Sequence, residues 1–100
     1  MIFSICIPTY NRIACLDDCL NSILIASKNC EDFNYEICIS DNCSEENVSL
    51  VIEKYQNKLP IKFNKNVKNL GFALNAMKVV SMSSGDYVWM IGNDDLILPE

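Results

Sequence analysis

The 100-residue sequence contains no histidine, and its three glycines, Gly71, Gly85 and Gly92, are scattered. Without histidine the chain can build neither a Ser-His-Asp triad nor a histidine-ligated zinc site. With so few glycines it has no P-loop and no G-x-G-x-x-G turn, so a phosphate bound here would not sit in a Gly-rich nest. No apolar run approaches the roughly 18 residues that mark a membrane span. The start, Met1-Ile2-Phe3-Ser4-Ile5, has no basic lead-in and no cleavage-like site, so a secretory leader is not expected. Positive charge is scarce as well. Eight Lys and Arg against thirteen Asp and Glu give a net charge of −5, which argues against nucleic acid as the main partner.

Half of the residues are apolar and 21% are charged, an ordinary composition for one small globular domain. Six cysteines occur without a Cys-x-x-Cys pair. Cys15 and Cys19 fall four apart in a helical pattern, Cys6 and Cys38 lie in strand-like runs, and Cys30 and Cys43 fall near loops. In a chain without a leader these read as reduced, mostly buried thiols that pack as small hydrophobes. A disulfide framework or a thiolate metal site is the alternative.

Strand and helix patterns alternate along the chain. Ile2 to Ile7 is a β-run that Pro8 is expected to end, because proline lacks a ladder donor. Ile13, Leu16, Leu20, Ile23 and Leu24 recur at helical spacing, with Asp17 and Asp18 placed toward the positive front of the helix dipole. After a polar loop, Tyr35 to Ser40 reads as a second strand. Ser44 is the expected N-cap of a second helix, with Glu45 and Glu46 in its first turn and an apolar face of Val48, Val51, Ile52 and Tyr55. A short strand around Ile61 to Phe63 follows. Ala73, Leu74, Met77 and Val80 are expected to face inward from a third helix, with Gly85 closing it or turning the chain. Tyr87 to Ile91 is a continuous apolar run, the pattern of a strand covered on both faces. The order β-α-β-α-β-α-β requires parallel pairing through helical crossovers. The expected fold class is α/β, a three-layer sandwich around a mostly parallel four-stranded sheet.

Open parallel sheets bind ligands beyond the carboxyl ends of their strands. Here those ends are all polar: Thr9, Tyr10, Asn11 and Arg12 after the first strand, and Asp41 and Asn42 after the second. Asn66, Lys68 and Asn69 follow the third, and Asn93, Asp94 and Asp95 the fourth. Adjacent carboxylates repel unless a cation or proton lies between them. Asp94 and Asp95 therefore suit Mg2+ or Mn2+, which can bridge diphosphate oxygens where no Gly-rich cradle exists. The plainer reading is that they cap a turn before Pro99. Asp41 could accept from a ribose hydroxyl or a base N–H, or could make an Asx-turn or take a helix-capping role beside Ser44. Tyr10 could stack on a base and Thr9 donate to it. Arg12, the single arginine, suits phosphate or a surface carboxylate, and Lys68 reads as a solvated loop charge.

Four segments, in order and across essentially the whole chain, resemble family 2 glycosyltransferases of the GT-A fold. They are Ile7-Pro8-Thr9-Tyr10-Asn11-Arg12; Ile39-Ser40-Asp41-Asn42-Cys43-Ser44; Asn69-Leu70-Gly71-Phe72-Ala73 with Asn75; and Gly85-Asp86-Tyr87 through Asn93-Asp94-Asp95-Leu96. The resemblance implies the Rossmann-like, nucleotide-sugar-binding portion of a GT-A domain over residues 1–100, in polysaccharide or glycoconjugate synthesis. It implies a UDP- or dTDP-sugar donor lying across Pro8, Thr9, Tyr10, Arg12, Asp41, Asn69, Asn93 and Asp94, with Asp41 at the base or ribose. Asp94 would be the main ligand to Mn2+ or Mg2+, with Asp95 supporting the metal site from behind or facing the sugar. Where the family usually has one more acidic residue, this chain has Gly92-Asn93, which lowers the charge available to a metal.

The family's inverting transfer needs a base and an acceptor-binding half beyond the metal motif. The expectation is therefore a truncated domain that binds donor without turnover, the acceptor being a saccharide or glycolipid. The expected location is the cytoplasm, with membrane association of a longer protein left open. Two other readings remain. A nucleotidyltransferase would place carboxylates similarly but open on a Gly-rich basic loop, and a degenerate transferase-like scaffold would explain Gly92-Asn93. A receiver-type phosphoacceptor domain needs an acidic pair where this chain has Thr9-Tyr10.

Overall fold

The computed structural model describes residues 2–28 and 34–91. Its elements are β1 (Phe3–Thr9), α1 (Ile13–Ser27), β2 (Tyr35–Asp41), α2 (Val48–Tyr55), β3 (Ile61–Lys65), α3 (Phe72–Ser81) and β4 (Tyr87–Met90). The strands form one sheet in the order β3-β2-β1-β4, and every pairing is parallel. The order reverses at β1, the arrangement that opens a crevice at the carboxyl edge of such sheets. Helices α1 and α2 cover one face and α3 the other, giving the expected three layers.

Alternation along β1 and β2 separates the two faces. Ile5, Ile7, Ile37 and Ile39 point toward α1 and α2, where they meet Leu16, Cys19, Leu20, Ile23, Val48, Val51, Ile52 and Tyr55, all buried. The intervening Ser4, Cys6, Glu36, Cys38 and Ser40 point the other way and are buried too. Helix α2 presents the apolar face that its spacing predicts. The five described cysteines carry free thiols, three of them buried. Burial raises the pKa of Cys6, and burial beside the Glu36 charge pushes Cys38 up to about 12.

Several local expectations are corrected. Pro8 does not end the strand but pairs with Ser40 inside it, and the strand runs on to Thr9. Odd residues of β1 bond toward β2, as in the 3.0 Å bond from Phe3 N to the Asn34 carbonyl, so Pro8 lacks its donor on the β4 side. There the pairing stops at Cys6–Met90. Helix α1 has no acidic residue in its first turn. Asp17 instead receives bonds from Lys54 Nζ at 3.1 Å and Tyr55 Oη at 2.5 Å. The Tyr55 bond is the main reason its carboxyl is lowered, and burial with Asp17 beside it raises the Tyr55 hydroxyl. Ser44 caps no helix, since α2 begins only at Val48 and Ser44 is engaged by Asp41.

Ala73, Leu74, Met77 and Val80 do not face inward from α3. The residues turned to the sheet are Asn75 and Val79, one helical turn apart, while Leu74 and Met77 are 56% and 68% exposed. Nor is β4 covered on both faces, for Tyr87, Val88, Trp89 and Met90 are all at least 40% exposed. It lies at the edge of the described sheet, with Phe3 stacking on Tyr87 and meeting Trp89 edge-on. Gly85 turns the chain rather than closing α3. A Cβ there would lie 2.3 Å from Ser4 Oγ and 2.8 Å from the Ile2 carbonyl. That close approach lets Gly85 N donate to Ser4 Oγ at 2.9 Å.

The amino edge of the sheet is closed by charge. Glu36 accepts from Ser4 Oγ at 2.6 Å, from Ser84 N at 2.6 Å and from Ser84 Oγ at 3.0 Å, and pairs with Lys62 at 2.8 Å. Burial alone would raise its pKa. The Lys62 ammonium and the serine donors overcome this and hold it at about 2. The cluster ties the turn before β4 to β1 and β2, at the end of the strands opposite the polar loops.

Candidate functional site

The carboxyl edge is assembled by register. Thr9 is the β-partner of Asp41, so the ends of β1 and β2 lie side by side, and Asp41 in turn is the partner of Lys65 at the end of β3. Thr9 and Asp41 are 3% and 0% exposed, whereas Tyr10 is 43% exposed and Arg12 also faces solvent. Of the residues singled out from sequence, the structure brings Pro8, Thr9 and Asp41 together on adjacent strands. Tyr10 and Arg12 are placed on the loop just beyond, and Asn69 on the loop that enters α3. Lys68 is exposed, as a loop charge should be. Asn93, Asp94 and Asp95 lie outside the described residues. Among the described residues no group of three or more acidic or cysteine side chains is placed to hold a metal.

Asp41 bonds Ser44, three residues on, rather than closing an Asx-turn, which would take the N–H two residues on. Its Oδ1 accepts from the Ser44 hydroxyl, and Ser44 N lies 3.3 Å from the same oxygen. Ser44 Oγ accepts in turn from Asn11 N at 2.8 Å, while Asn11 Oδ1 accepts from Glu45 N at 2.8 Å. Asn11 and Cys43 hold positive φ values of 48° and 66°, so both loops turn sharply to make this exchange. Glu46 Oε1 accepts from Ile13 N at 3.3 Å, giving the start of α1 an acceptor from the neighbouring loop. The first and second loops are thus laced into one unit. An ionised carboxylate has about four lone-pair positions, so Asp41 keeps acceptor capacity beyond Ser44. Because it is fully buried, a ligand group reaches it only by displacing a neighbour.

A second group, of which Asn42, Asn66 and Asn75 were singled out from sequence but not as a connected unit, lies beside the first. Ser40, Asn42, Asn64, Asn66 and Asn75 form a connected polar network between the end of β2, β3 and α3. Ser40 Oγ donates to Asn75 Oδ1 at 2.8 Å, and Asn75 Nδ2 donates back to the Ser40 carbonyl at 3.0 Å. Asn66 Nδ2 donates to Asn75 Oδ1 at 2.9 Å and to Asn42 Oδ1 at 3.1 Å. Asn64 Nδ2 donates to Ser40 Oγ at 3.0 Å and to Asn66 Oδ1 at 2.9 Å. Among the described residues no buried side-chain polar atom lacks a partner. The available signal was Asn75, an asparagine in a helix interior, where its propensity is poor and a packing or bonding reason is needed.

Residues 4–100 match the glycosyl transferase family 2 profile. The abequosyltransferase RfbV of Salmonella typhimurium is 44% identical over 101 residues, covering 97% of this chain and 29% of the relative. The crystal structure of Staphylococcus aureus TarS 1–349 in complex with UDP matches with a TM-score of 0.86 at 30% identity, over 100% of this chain and 29% of that one. The same protein in complex with UDP-GlcNAc matches with a TM-score of 0.85 at 29% identity, over 98% and 28% of the two chains. The chain therefore spans less than a third of the length of these relatives. A four-stranded parallel sheet with this order, these strand ends and this likeness places the chain in glycosyltransferase family 2, with the fold of the amino-terminal portion of a GT-A domain.

Proposed function

We propose that the chain binds the nucleotide-sugar donor, UDP- or dTDP-linked, for transfer of a sugar to an acceptor hydroxyl in polysaccharide or glycoconjugate synthesis. The observation that carries this reading is the placement of Thr9 beside Asp41 at the carboxyl edge of a sheet that matches a UDP complex so closely. In this reading Asp41 accepts from the base or ribose, and Pro8, Thr9 and Tyr10 border the nucleotide. Arg12 and Asn69 lie at the rim. Asn93 and Asp94 meet the diphosphate, and Asp95 stands beside them.

A divalent cation, Mn2+ or Mg2+, would be held by Asp94 and Asp95 and would neutralise charge on the diphosphate oxygens. Both residues lie outside the described ones. The remaining chemistry is inverting attack by an acceptor hydroxyl, which needs a base and an acceptor-binding surface. Those belong to a longer protein acting in the cytoplasm on a saccharide or glycolipid. The chain by itself is then a donor-binding unit without turnover.

Calorimetric titration with UDP, with and without Mn2+, tests this. Saturable binding that strengthens with Mn2+, and loses that gain in Asp94→Ala, is the expected result. A folded chain that binds neither UDP nor dTDP at millimolar concentrations would reject the donor reading and favour a scaffold role. Sugar transfer by the chain alone would reject its assignment as a unit without turnover.

A further inference from the structure

Asn42 follows Asp41 at the end of β2 and is 4% exposed. Its Nδ2 donates to Asn69 Oδ1 at 2.8 Å and to the Gly71 carbonyl at 3.2 Å. Its Oδ1 accepts from Leu70 N at 2.8 Å and from Asn66 Nδ2 at 3.1 Å. A carboxamide offers two donors and one oxygen with two lone pairs. All four are engaged inside the protein, so Asn42 has nothing left with which to hold a ligand. What it holds is the Asn69 side chain together with the backbone of Leu70 and Gly71. This loop contains Gly71 at φ +84°, the left-handed region that favours glycine, and it leads directly into α3. Asn69 Oδ1 also accepts from Gly71 N at 2.7 Å, so the loop closes on itself against the Asn42 amide.

We propose that Asn42 is a positioning residue of the donor site: both ends of its carboxamide fix residues 69–71 and hold Asn69 in place relative to Thr9 and Asp41. The proposal rests on the donor-binding reading above. Its physical content is preorganisation, since a loop already ordered in the free chain need not be ordered by the ligand. Asn66 bonds the amide directly and is itself held by Asn75, which Ser40 engages in turn.

Two substitutions separate positioning from general stability. Asn42→Ala removes all four bonds. Asn42→Asp is close to isosteric and keeps an oxygen for Leu70 N and Asn66 Nδ2. Its second oxygen, however, faces Asn69 Oδ1 and the Gly71 carbonyl, which are both acceptors. Amide hydrogen exchange and UDP titration are measured on the 100-residue chain and both variants. In Asn42→Ala, exchange at Leu70 is expected to rise about tenfold or more while Ile7 and Ile39 keep their protection. UDP affinity should fall by at least about tenfold. Asn42→Asp should keep Leu70 protected and bind UDP with intermediate affinity. Affinity of Asn42→Ala within about twofold of the parent would overturn the proposal. So would a parallel loss of protection at Ile7 and Ile39, which would make Asn42 a general fold residue. Absence of UDP binding by the parent chain would overturn the donor reading and the site role of Asn42 with it. The Leu70 exchange would then still decide whether Asn42 fixes the loop.

Discussion

On the face toward α1 and α2, Ile5, Ile7, Ile37 and Ile39 stack against aliphatic helix residues, while on the face toward α3 the alternate positions are Ser4, Cys6, Glu36, Cys38 and Ser40. The same two strands build both layers, yet they hold their helices by different forces. Apolar burial is strong and non-directional, so it secures α1 and α2 without dictating fine placement. Hydrogen bonds contribute less each but specify geometry, and a broken one leaves buried groups unpaired. The Asn75 and Asn42 bonds, together with a small contact of Val79 with Cys6 and Cys38, therefore fix α3 and the loop leading into it. A binding edge needs that kind of placement.

The largest effect should come from the aliphatic layer. Leu20→Ala would remove a fully buried side chain and is expected to lower stability by about 2–5 kcal/mol in urea unfolding. On the opposite face, Asn75→Ala removes the acceptor shared by the Ser40 hydroxyl and an Asn66 donor, and one of the donors to the Ser40 carbonyl. A loss of about 1–3 kcal/mol is expected, with faster exchange in residues 66–71 beyond what the global loss explains. If Asn75→Ala proved as costly as Leu20→Ala with no local signature, the contrast between the faces would fail.

Acid titration sharpens the comparison at the other edge. Glu36 is held at about 2, below the usual carboxylate value of roughly 4.3. Its contribution to stability is therefore present above that ordinary value and is lost as pH falls toward 2. Glu36→Gln should be less stable than the parent at neutral pH, and the gap in melting temperature should narrow through this acid window. A gap independent of pH would mean that the Glu36 cluster acts through packing alone. The smallest effect is expected on the exposed stripe, where Met77→Lys should change stability by no more than about 0.5 kcal/mol and reduce self-association in light scattering.

Much of the architecture was written in periodicity. The β-α alternation, the inward face of α2 and the apolar alternation Ile5-Cys6-Ile7 and Ile37-Cys38-Ile39 all follow from local spacing, which the chain displays directly. Apolar residues on α3 were read as inward because hydrophobicity normally signals burial, but Asn75 takes the sheet-facing position through bonds to Ser40 and Asn66, and β4 lies at the edge of the described sheet. Ser44 was read as a helix cap, whereas its hydroxyl is taken by Asp41 three residues back and by Asn11, 33 residues away, which no local pattern marks. The strand-end residues Thr9 and Asp41 were legible from motif order. Their side-by-side register, and the amide of Asn42 behind them, depend on contacts between distant segments that only the folded chain reveals.

The central claim, that the carboxyl edge rather than the charged amino edge is the binding surface, is tested most directly by mapping amide chemical-shift changes while UDP is added. The account predicts changes concentrated at residues 9–12, 41–45 and 69–71, with Ser4, Glu36, Lys62 and Ser84 unmoved. Changes centred on the Glu36 cluster, or a well-dispersed spectrum that UDP leaves unaltered, would contradict it.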